Sequence, residues 1–293
     1  MPSLKDLRNR IDSVKSTKKI TQAMKMVAAS KLKKAQAIAE RGRSYSSGMG
    51  HIVNGLVSSE TKQDHPLLNN PDKVENIIII IVSSDRGLCG GLNSNIVKQV
   101  KDLTNNLEKQ NRKITIVCIG KKGYDLLYSF NRVYLNYEVK FIPISEMSYE
   151  RTEELGHQII SSFFNKKYDE CYLFYNYFRS VISQEIMREK LIPYNVASDT
   201  KEIEKEDKEV FFEYEPDEED VLSKILPKNF VVQLYKAVLE SRASEHGARM
   251  TAMDNATRNA GDMINNLSLS YNRQRQAMIT KELIEIISGA EAL

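Results

Sequence analysis

The run from 229 to 289 constrains this chain most, because it is about sixty residues long and contains no proline. Ala, Met, Leu and Ile recur in it every three or four positions, which is the period of an α-helix. Pro227 predicts where this helix begins, and the pair Ser288 and Gly289 predicts a left-handed cap at its end. At 1.5 Å per residue the helix would be roughly 90 Å long, too long for one small domain to cover. It therefore requires a partner helix.

The start of the chain supplies that partner. Ser3 and Asp6 have the spacing of a capping box, and apolar residues then follow at helical spacing from Leu4 to Ala35. No glycine precedes Gly42, so we expect the first helix to end between Gly42 and Gly55. We predict that the two termini pair as an antiparallel coiled coil. A row of small side chains would let the helices approach closely: Ala248, Ala252, Ala256 and Ala260.

The middle of the chain alternates between apolar β-branched runs and helical stretches. Residues 77–82 are five isoleucines and a valine without polar alternation, which is typical of a strand buried on both faces of a parallel sheet. Further strands are predicted at 114–119, 133–141 and 171–175, with helices at 93–109, 124–130 and 150–164. This alternation predicts a small doubly wound α/β domain.

The pattern is weaker from 176 to 220. Residues 182–191 fit either a strand or a helix, 199–208 an exposed charged loop, 210–214 an edge strand, and 218–226 a short amphipathic helix. The predicted organisation has three parts: an N-terminal coiled-coil helix over 1–58, an inserted Rossmann-like α/β domain over 74–215, and a C-terminal coiled-coil helix over 216–293.

Charge is distributed unevenly along the chain although the net charge is only +3. Residues 1–43 hold twelve Lys and Arg against three Asp and Glu, whereas residues 199–220 hold twelve Asp and Glu against three Lys. Opposed charge blocks suggest a macromolecular partner or mutual attraction, and a solvated helix face is the ordinary alternative for each.

The remaining composition argues against several classes of protein. Cys89, Cys118 and Cys171 are far apart and lie beside apolar runs, so we expect buried free thiols. The four histidines lack ligand spacing, and no metal or cofactor is predicted. The longest apolar run, 77–82, is too short to cross a bilayer, and no leader sequence is recognised. We expect a soluble chain without a membrane span.

One loop invites a catalytic interpretation. Residues 83–93 follow the first predicted strand, where open α/β sheets bind ligands, and they contain three glycines. They lack the Gly-Lys-Ser/Thr ending of a P-loop and the spacing of a dinucleotide fingerprint. Asp85 and Arg86 could pair with each other or cap a helix, and Cys89 has no histidine nearby. A structural turn is favoured over an active site.

Three segments together resemble a known family. They are Ile20 to Lys31 (ITQAMKMVAASK), the loop Ser84 to Asn93 (SDRGLCGGLN), and Ala248 to Thr257 with its Ala-Arg-Met-Thr-Ala-Met start. With the closing run from Arg275 to Ala290, they strongly resemble the gamma subunit of the F-type ATP synthase along the whole chain. In that family the terminal helices form a shaft inside a ring of alpha and beta subunits, and the α/β domain lies outside the ring at the membrane sector.

The resemblance implies specific roles and partners. By position, Met24 corresponds to the place where the shaft meets the mobile lever of a beta subunit. Arg275, Gln276, Thr280 and Glu282 correspond to residues that couple rotation to catalysis at the ring. The implied partners are the alpha and beta subunits, the epsilon subunit and the membrane c-ring, with no nucleic acid. The implied location is the cytoplasmic face of the bacterial inner membrane, held peripherally, and the cysteine-bearing insert of photosynthetic members is absent.

The resemblance therefore favours a non-catalytic central rotor that couples proton flow to ATP synthesis or hydrolysis. Two alternatives of other classes remain open at this point. One is a small α/β enzyme that binds phosphate or a nucleotide at the 85–93 loop and carries a helical oligomerisation arm. The other is a basic coiled-coil binder of nucleic acid, suggested by the charge of the first 43 residues.

Overall fold

The structure is a computed structural model that describes residues 3–58, 65–71, 73–131, 137–194 and 218–291. Its helices are α1 (Leu4–Ser58), α2 (Leu92–Glu108), α3 (Lys121–Asn131), α4 (Tyr149–Phe164) and α5 (Glu218–Glu291). Its strands are β1 (Asn76–Val82), β2 (Lys113–Ile119), β3 (Tyr137–Ile142), β4 (Glu170–Phe178) and β5 (Gln184–Ile192), and a 3-10 turn spans Ile144–Glu146.

The chain divides into two compact units. The first, the terminal unit, combines residues 1–30 with 249–293, and the second, the sheet unit, is residues 31–248. The sequence predicted three domains with other boundaries: 1–58, 74–215 and 216–293. Those boundaries were placed at the ends of predicted helices and strands, whereas the two units are defined by contacts between residues. The three-domain division stays a prediction.

The sheet unit contains one sheet whose strand order is β3-β2-β1-β4-β5. Strands β1 to β4 pair in parallel, and β5 pairs antiparallel with β4 at the edge. The sequence left 182–191 undecided, and the structure makes most of it the antiparallel strand β5. Residues 133–136 of the predicted third strand and the predicted edge strand at 210–214 lie outside the described residues, as does the 199–208 loop.

The isoleucine run of β1 explains why the sheet is covered on both sides. Ile77, Ile79 and Ile81 face one apolar cluster that includes residues of α2. Ile78 and Ile80 face the other cluster, which includes residues of α4 and α5. Because alternate side chains of a strand point to opposite faces, an unbroken apolar strand requires two cores. The doubly wound α/β prediction is confirmed.

Three predicted helix ends are wrong. Helix α1 continues through Gly42 to Ser58, α5 continues through Pro227, and Gly289 lies inside α5. Packing explains the first two. A Cβ on Gly42 would lie 2.9 Å from Leu239 Cδ1, so this glycine allows close helix approach. Pro227 lies between the buried residues Leu226 and Phe230, whose burial in one core holds the helix across it.

The three cysteines are free and buried, as the sequence predicted. Burial raises the pKa of the Cys118 thiol to about 12 and that of Cys171 well above its ordinary range.

We therefore expect no thiol of the folded chain to react with a disulfide reagent at neutral pH, because a buried thiol is hard to reach and the pKa values of Cys118 and Cys171 suppress their thiolates. Absorbance of the released thiol should rise only after denaturant is added, and then by three equivalents per chain. Rapid reaction of Cys118 or Cys171 in the native chain would contradict this arrangement.

No helix of the described residues is long and apolar enough to span a membrane.

Candidate functional site

The terminal unit consists of two helical segments that pair side by side. Thr257 Oγ1 donates to Thr21 Oγ1 at 2.8 Å, and Lys25 Nζ donates to Asp254 Oδ1 at 2.5 Å. A Cβ on Gly261 would lie 3.3 Å from Lys18 Nζ. Numbers rise along one helix as they fall along the other, so the pairing is antiparallel. The predicted coiled coil of the two termini is confirmed.

The four alanines of the predicted row are buried to different extents. Ala260 is buried, whereas Ala252 and Ala256 are half-buried in the terminal unit. Ala248, also half-buried, belongs to the sheet unit. Met253 is buried beside this row. The role of the four alanines in helix packing stays a prediction, with Ala260 the best placed of them.

Ala260→Leu should overpack the terminal unit, since a buried methyl group would be replaced by a side chain with three more carbons. We expect a loss of about 1–3 kcal/mol in the free energy of unfolding, measured by circular dichroism during thermal unfolding. The matched control is Asn259→Leu, which introduces the same side chain at the exposed neighbouring position. Equal effects of the two substitutions would show that Ala260 is not a packing residue.

Asp254 links the two helices electrostatically. Hydrogen bonds from Lys25, which has the larger effect, and from Arg258 lower the pKa of its carboxyl group. A depressed folded pKa stabilises the folded state above the unfolded pKa, and this stabilisation is lost as the pH falls through the folded value.

We therefore expect the terminal unit to lose stability below about pH 4, the ordinary pKa of aspartate. The melting temperature of the helices, followed by circular dichroism between pH 6 and pH 3, should fall less steeply in Asp254→Asn than in the parent chain. Asp262→Asn, at an exposed position on the same helix, is the control and should follow the parent curve. Parallel curves for Asp254→Asn and the parent would contradict a stabilising role for this carboxylate.

The residues assigned to coupling by resemblance fall into two environments. Met24 is half-buried on α1, in the stretch that pairs with α5. Arg275, Gln276, Thr280 and Glu282 are all exposed on α5, and Thr280 Oγ1 donates back to the Gln276 carbonyl at 2.9 Å. Their side chains are therefore available to a partner, and their coupling role stays a prediction.

The end of α5 carries an unusual number of exposed apolar side chains. Residues 275–290 are all exposed, and the large apolar ones among them are Met278, Ile279, Leu283, Ile284, Ile286 and Ile287. We call this segment the apolar end of α5. Clusters of exposed apolar side chains typically mark a surface that another protein covers.

The 83–93 loop uses its polar groups within the fold. Asp85 Oδ1 accepts from the backbone N–H groups of Lys121 and Ile144, and Oδ2 accepts from that of Ser145. This carboxylate therefore caps the start of α3 and the 3-10 turn. Gly120 has a φ of +109°, and a Cβ there would lie 2.2 Å from the Ser83 carbonyl oxygen. Close backbone approach, not ligand binding, explains this glycine.

A second set of hydrogen bonds joins the beginning of this loop to its end. Asn93 Nδ2 donates to Ser84 Oγ at 2.8 Å, and Asn93 Oδ1 accepts from the Ser84 backbone N–H at 3.1 Å. Cys89 Sγ lies 3.3 Å from Asn93 Nδ2. Within the described part of the chain, no group of His, Cys, Asp and Glu could hold a metal ion. These contacts support a structural turn.

An ion pair between the partly exposed Arg43 and the buried Glu240 lies in the sheet unit and was not predicted from the sequence. Arg43 Nε donates to Glu240 Oε1 at 2.5 Å, and Arg43 Nη2 donates to Glu240 Oε2 and to the Phe178 carbonyl. Glu240 Oε2 also accepts from the Phe178 backbone N–H at 3.0 Å. The hydrogen bond to Glu240 raises the pKa of Arg43 above its ordinary value. We call Arg43, Glu240 and the Phe178 backbone the α1–α5–β4 clamp.

The clamp joins three elements of the sheet unit at one point. The Glu240 side chain is only 1% exposed, so its charge depends on the guanidinium for compensation. The available signal was a carboxylate at the end of the mainly apolar stretch 230–239, a pattern that predicts an internal partner without saying which one.

Solved structures with a related fold define the class to which the chain belongs. The central stalk of the Tetrahymena thermophila mitochondrial ATP synthase is 26% identical, with a TM-score of 0.58 over 81% of this chain and 99% of that one. A chain of the Euglena gracilis mitochondrial ATP synthase is 19% identical, with a TM-score of 0.68 over 99% of this chain and 94% of that one, and shows the fold alone. The fold is that of a central-stalk protein.

The sequence comparisons make the assignment specific. A family model described as ATP synthase matches residues 3–293. The ATP synthase gamma chains of Sinorhizobium medicae and Brucella canis are 46% and 48% identical, each over 100% of both chains. The chain belongs to the ATP synthase gamma chain family. The enzyme alternative with a catalytic 85–93 loop is not favoured.

Proposed function

We propose that this chain is the non-catalytic central rotor of an F-type ATP synthase, in which it couples proton flow to the chemistry of the catalytic ring. The single observation that carries the proposal is the antiparallel terminal helix pair, in which α5 ends in an exposed apolar segment. Whole-length similarity to gamma chains supports it. The internal use of the 83–93 loop supports the absence of a catalytic site of its own.

The mechanism follows from the lack of threefold symmetry in a pair of different helices. Inside a ring of three alpha and three beta subunits, this pair meets each beta subunit with a different set of side chains. Each orientation therefore has a different free energy with each conformation of a catalytic site, and rotation shifts the three sites in sequence. A symmetric shaft would bind the three sites equally and shift none of them.

Five residues are proposed to make the contacts through which rotation of the shaft changes the conformation of the catalytic sites. Met24 on α1 would contact the mobile lever of a beta subunit, and the exposed side chains of Arg275, Gln276, Thr280 and Glu282 would contact the ring. The proposal comes from their positions in the family pattern. The exposure of the last four is consistent with it.

The other proposed partners belong to the membrane end of the complex. The related structures are a central stalk with its c-ring and an F1 sector with its c-ring. We propose that this chain likewise assembles with a c-ring and an epsilon subunit. Its peripheral position would then be the cytoplasmic face of a bacterial inner membrane.

Reconstitution tests the proposal. The full chain is mixed with alpha and beta subunits of a related bacterium, and the product is separated by size-exclusion chromatography and assayed for ATP hydrolysis. We expect a complex with one copy of this chain per three alpha and three beta subunits, and hydrolysis that requires the chain. Omission of the chain is the control. Failure to form the complex with competent subunits would refute the rotor proposal.

A further inference from the structure

A polar cavity lies within the sheet unit between α1, α5 and the end of β4. It is open to solvent on one side and has a volume of about 440 Å³, which is within the range of small-ligand sites. Residues 43–54 of α1 form one wall, Gln233 and Lys236 of α5 form the opposite wall, and Tyr177 lies at the end of β4. The 83–93 loop is not part of its lining.

The sequence explains why the two helices leave this space open. The α1 wall contains Ser46, Ser47 and Gly50, whose side chains are short. Ser46 Oγ donates to Gln233 Oε1 at 3.0 Å, so the helices are joined at one side of the cavity. A roomy cavity with polar walls holds water or a ligand, whereas dry cavities are apolar.

Several polar groups around the cavity have donor N–H groups that the contacts within the described residues leave unused. Lys236 Nζ makes one long contact, 3.5 Å to Gln233 Oε1, and pairs with no described carboxylate. Asn54 Oδ1 accepts from the Tyr194 hydroxyl at 3.2 Å, which leaves its amide N–H groups for other acceptors. Ser47 and His51 line the open side of the cavity, where both are exposed to solvent.

The charge of the lining is positive. Arg43 is compensated by Glu240 through the α1–α5–β4 clamp. The ammonium group of Lys236 has no such carboxylate in the part of the chain that the structure describes, where neither Asp nor Glu lines the cavity. An ammonium group, a hydroxyl and a side-chain amide around one space are the donors that a tetrahedral oxyanion requires.

We propose that this cavity binds a phosphate-class anion, with Lys236 as the charge partner and Ser47, His51 and Asn54 as hydrogen-bond donors. The volume admits inorganic phosphate with its water molecules and also pyrophosphate. The bound anion would bridge α1 to α5 and so stabilise the sheet unit. The inference does not depend on the rotor function, because it concerns a site inside one unit of the chain.

Equilibrium dialysis of the full chain against radiolabelled phosphate, and separately pyrophosphate, tests the proposal at constant ionic strength set with potassium chloride. We expect saturable binding of one anion per chain. Lys236→Met keeps an unbranched side chain one atom shorter but removes its charge, and should weaken binding at least about tenfold, the effect of losing one charge-assisted hydrogen bond. Tighter binding of pyrophosphate than of phosphate would support the proposal and identify the larger ligand.

Lys228→Met is the matched control, because Lys228 is exposed on the same helix and does not line the cavity. It should bind as the parent does. The midpoint of thermal unfolding should rise with pyrophosphate in the parent and in Lys228→Met, since a ligand of the folded state stabilises it, but not in Lys236→Met. Unsaturable binding, or equal loss in both variants, would overturn the proposal, as would unchanged binding in a folded Lys236→Met chain.

Discussion

Arg43→Met is expected to destabilise the sheet unit by about 3–5 kcal/mol, the typical effect of leaving a buried charge, here the Glu240 carboxylate, without its partner. The Glu240 carboxylate would stay buried with only the Phe178 N–H as a described donor. The Phe178 carbonyl would also lose its bond from the guanidinium. Urea unfolding followed by tyrosine fluorescence measures the loss, since the chain has 14 tyrosines and no tryptophan.

Two variants make this prediction specific. Arg151→Met removes an arginine whose pair with Glu154 is about half exposed on both sides, and should cost at most about 1 kcal/mol. Arg43→Met combined with Glu240→Leu removes both charges, and should recover much of the loss because no buried charge is left unpaired. An Arg43→Met chain as stable as Arg151→Met would show that the clamp does not stabilise the sheet unit.

Replacing Leu283, Ile284 and Ile287 together by Ser is expected to abolish or strongly reduce assembly with alpha and beta subunits. Their side chains are exposed in the chain alone, so the folded state loses little, whereas an interface that covers them would lose the burial of three large apolar groups. Co-purification of the subunits measures assembly, and circular dichroism checks that helix content is kept.

The same variant should differ from the parent before assembly. With its apolar end uncovered, the parent chain is expected to self-associate, and the triple variant should sediment as a smaller species. A control with Glu285→Gln alters the same turn of α5 without changing its apolar surface. Normal assembly and turnover of the triple variant would mean that the apolar end of α5 is not a ring contact.

The central strand of the sheet could be predicted from the sequence because the residues that specify it are consecutive. Five consecutive isoleucines followed by valine strongly favour a strand with apolar cores on both faces, and the structure places alternate members in two clusters. The edge strand β5 was ambiguous because it mixes charged and apolar side chains, and only its pairing with β4 decides between strand and helix.

Helix ends were predicted badly because glycine and proline were interpreted as breaks. Gly42 was one such residue, and it lies where another helix comes close: a Cβ would lie 2.9 Å from Leu239 Cδ1. Gly247, which the predicted long helix already included, has the same role, because a Cβ there would lie 3.0 Å from Phe178 Cε2. Their role is spatial, and a single sequence does not show which residues approach them. Pro227 is tolerated because tertiary burial on both sides outweighs local propensity.

The candidate site was predictable in outline but not in its contacts. The helical periods of both termini indicated an antiparallel pair, and the structure supplies the register through Thr21 with Thr257 and Lys25 with Asp254. These two pairs join residues 236 and 229 positions apart, and the ion pair of the clamp spans 197 positions, so no local pattern specifies them. The coupling residues came from family resemblance, since an exposed side chain carries no local sign of its partner.

Single-molecule observation of rotation tests the central claim most directly. Ile182 is 87% exposed, so Ile182→Cys provides one accessible thiol for a bead while the three native cysteines stay buried. The complex with alpha and beta subunits is fixed to a surface through the ring, and ATP is added. The rotor account predicts rotation of the bead in one direction, with three equally spaced pauses per turn that lengthen as ATP is lowered. A complex that hydrolyses ATP at a normal rate while the bead stays still would contradict it.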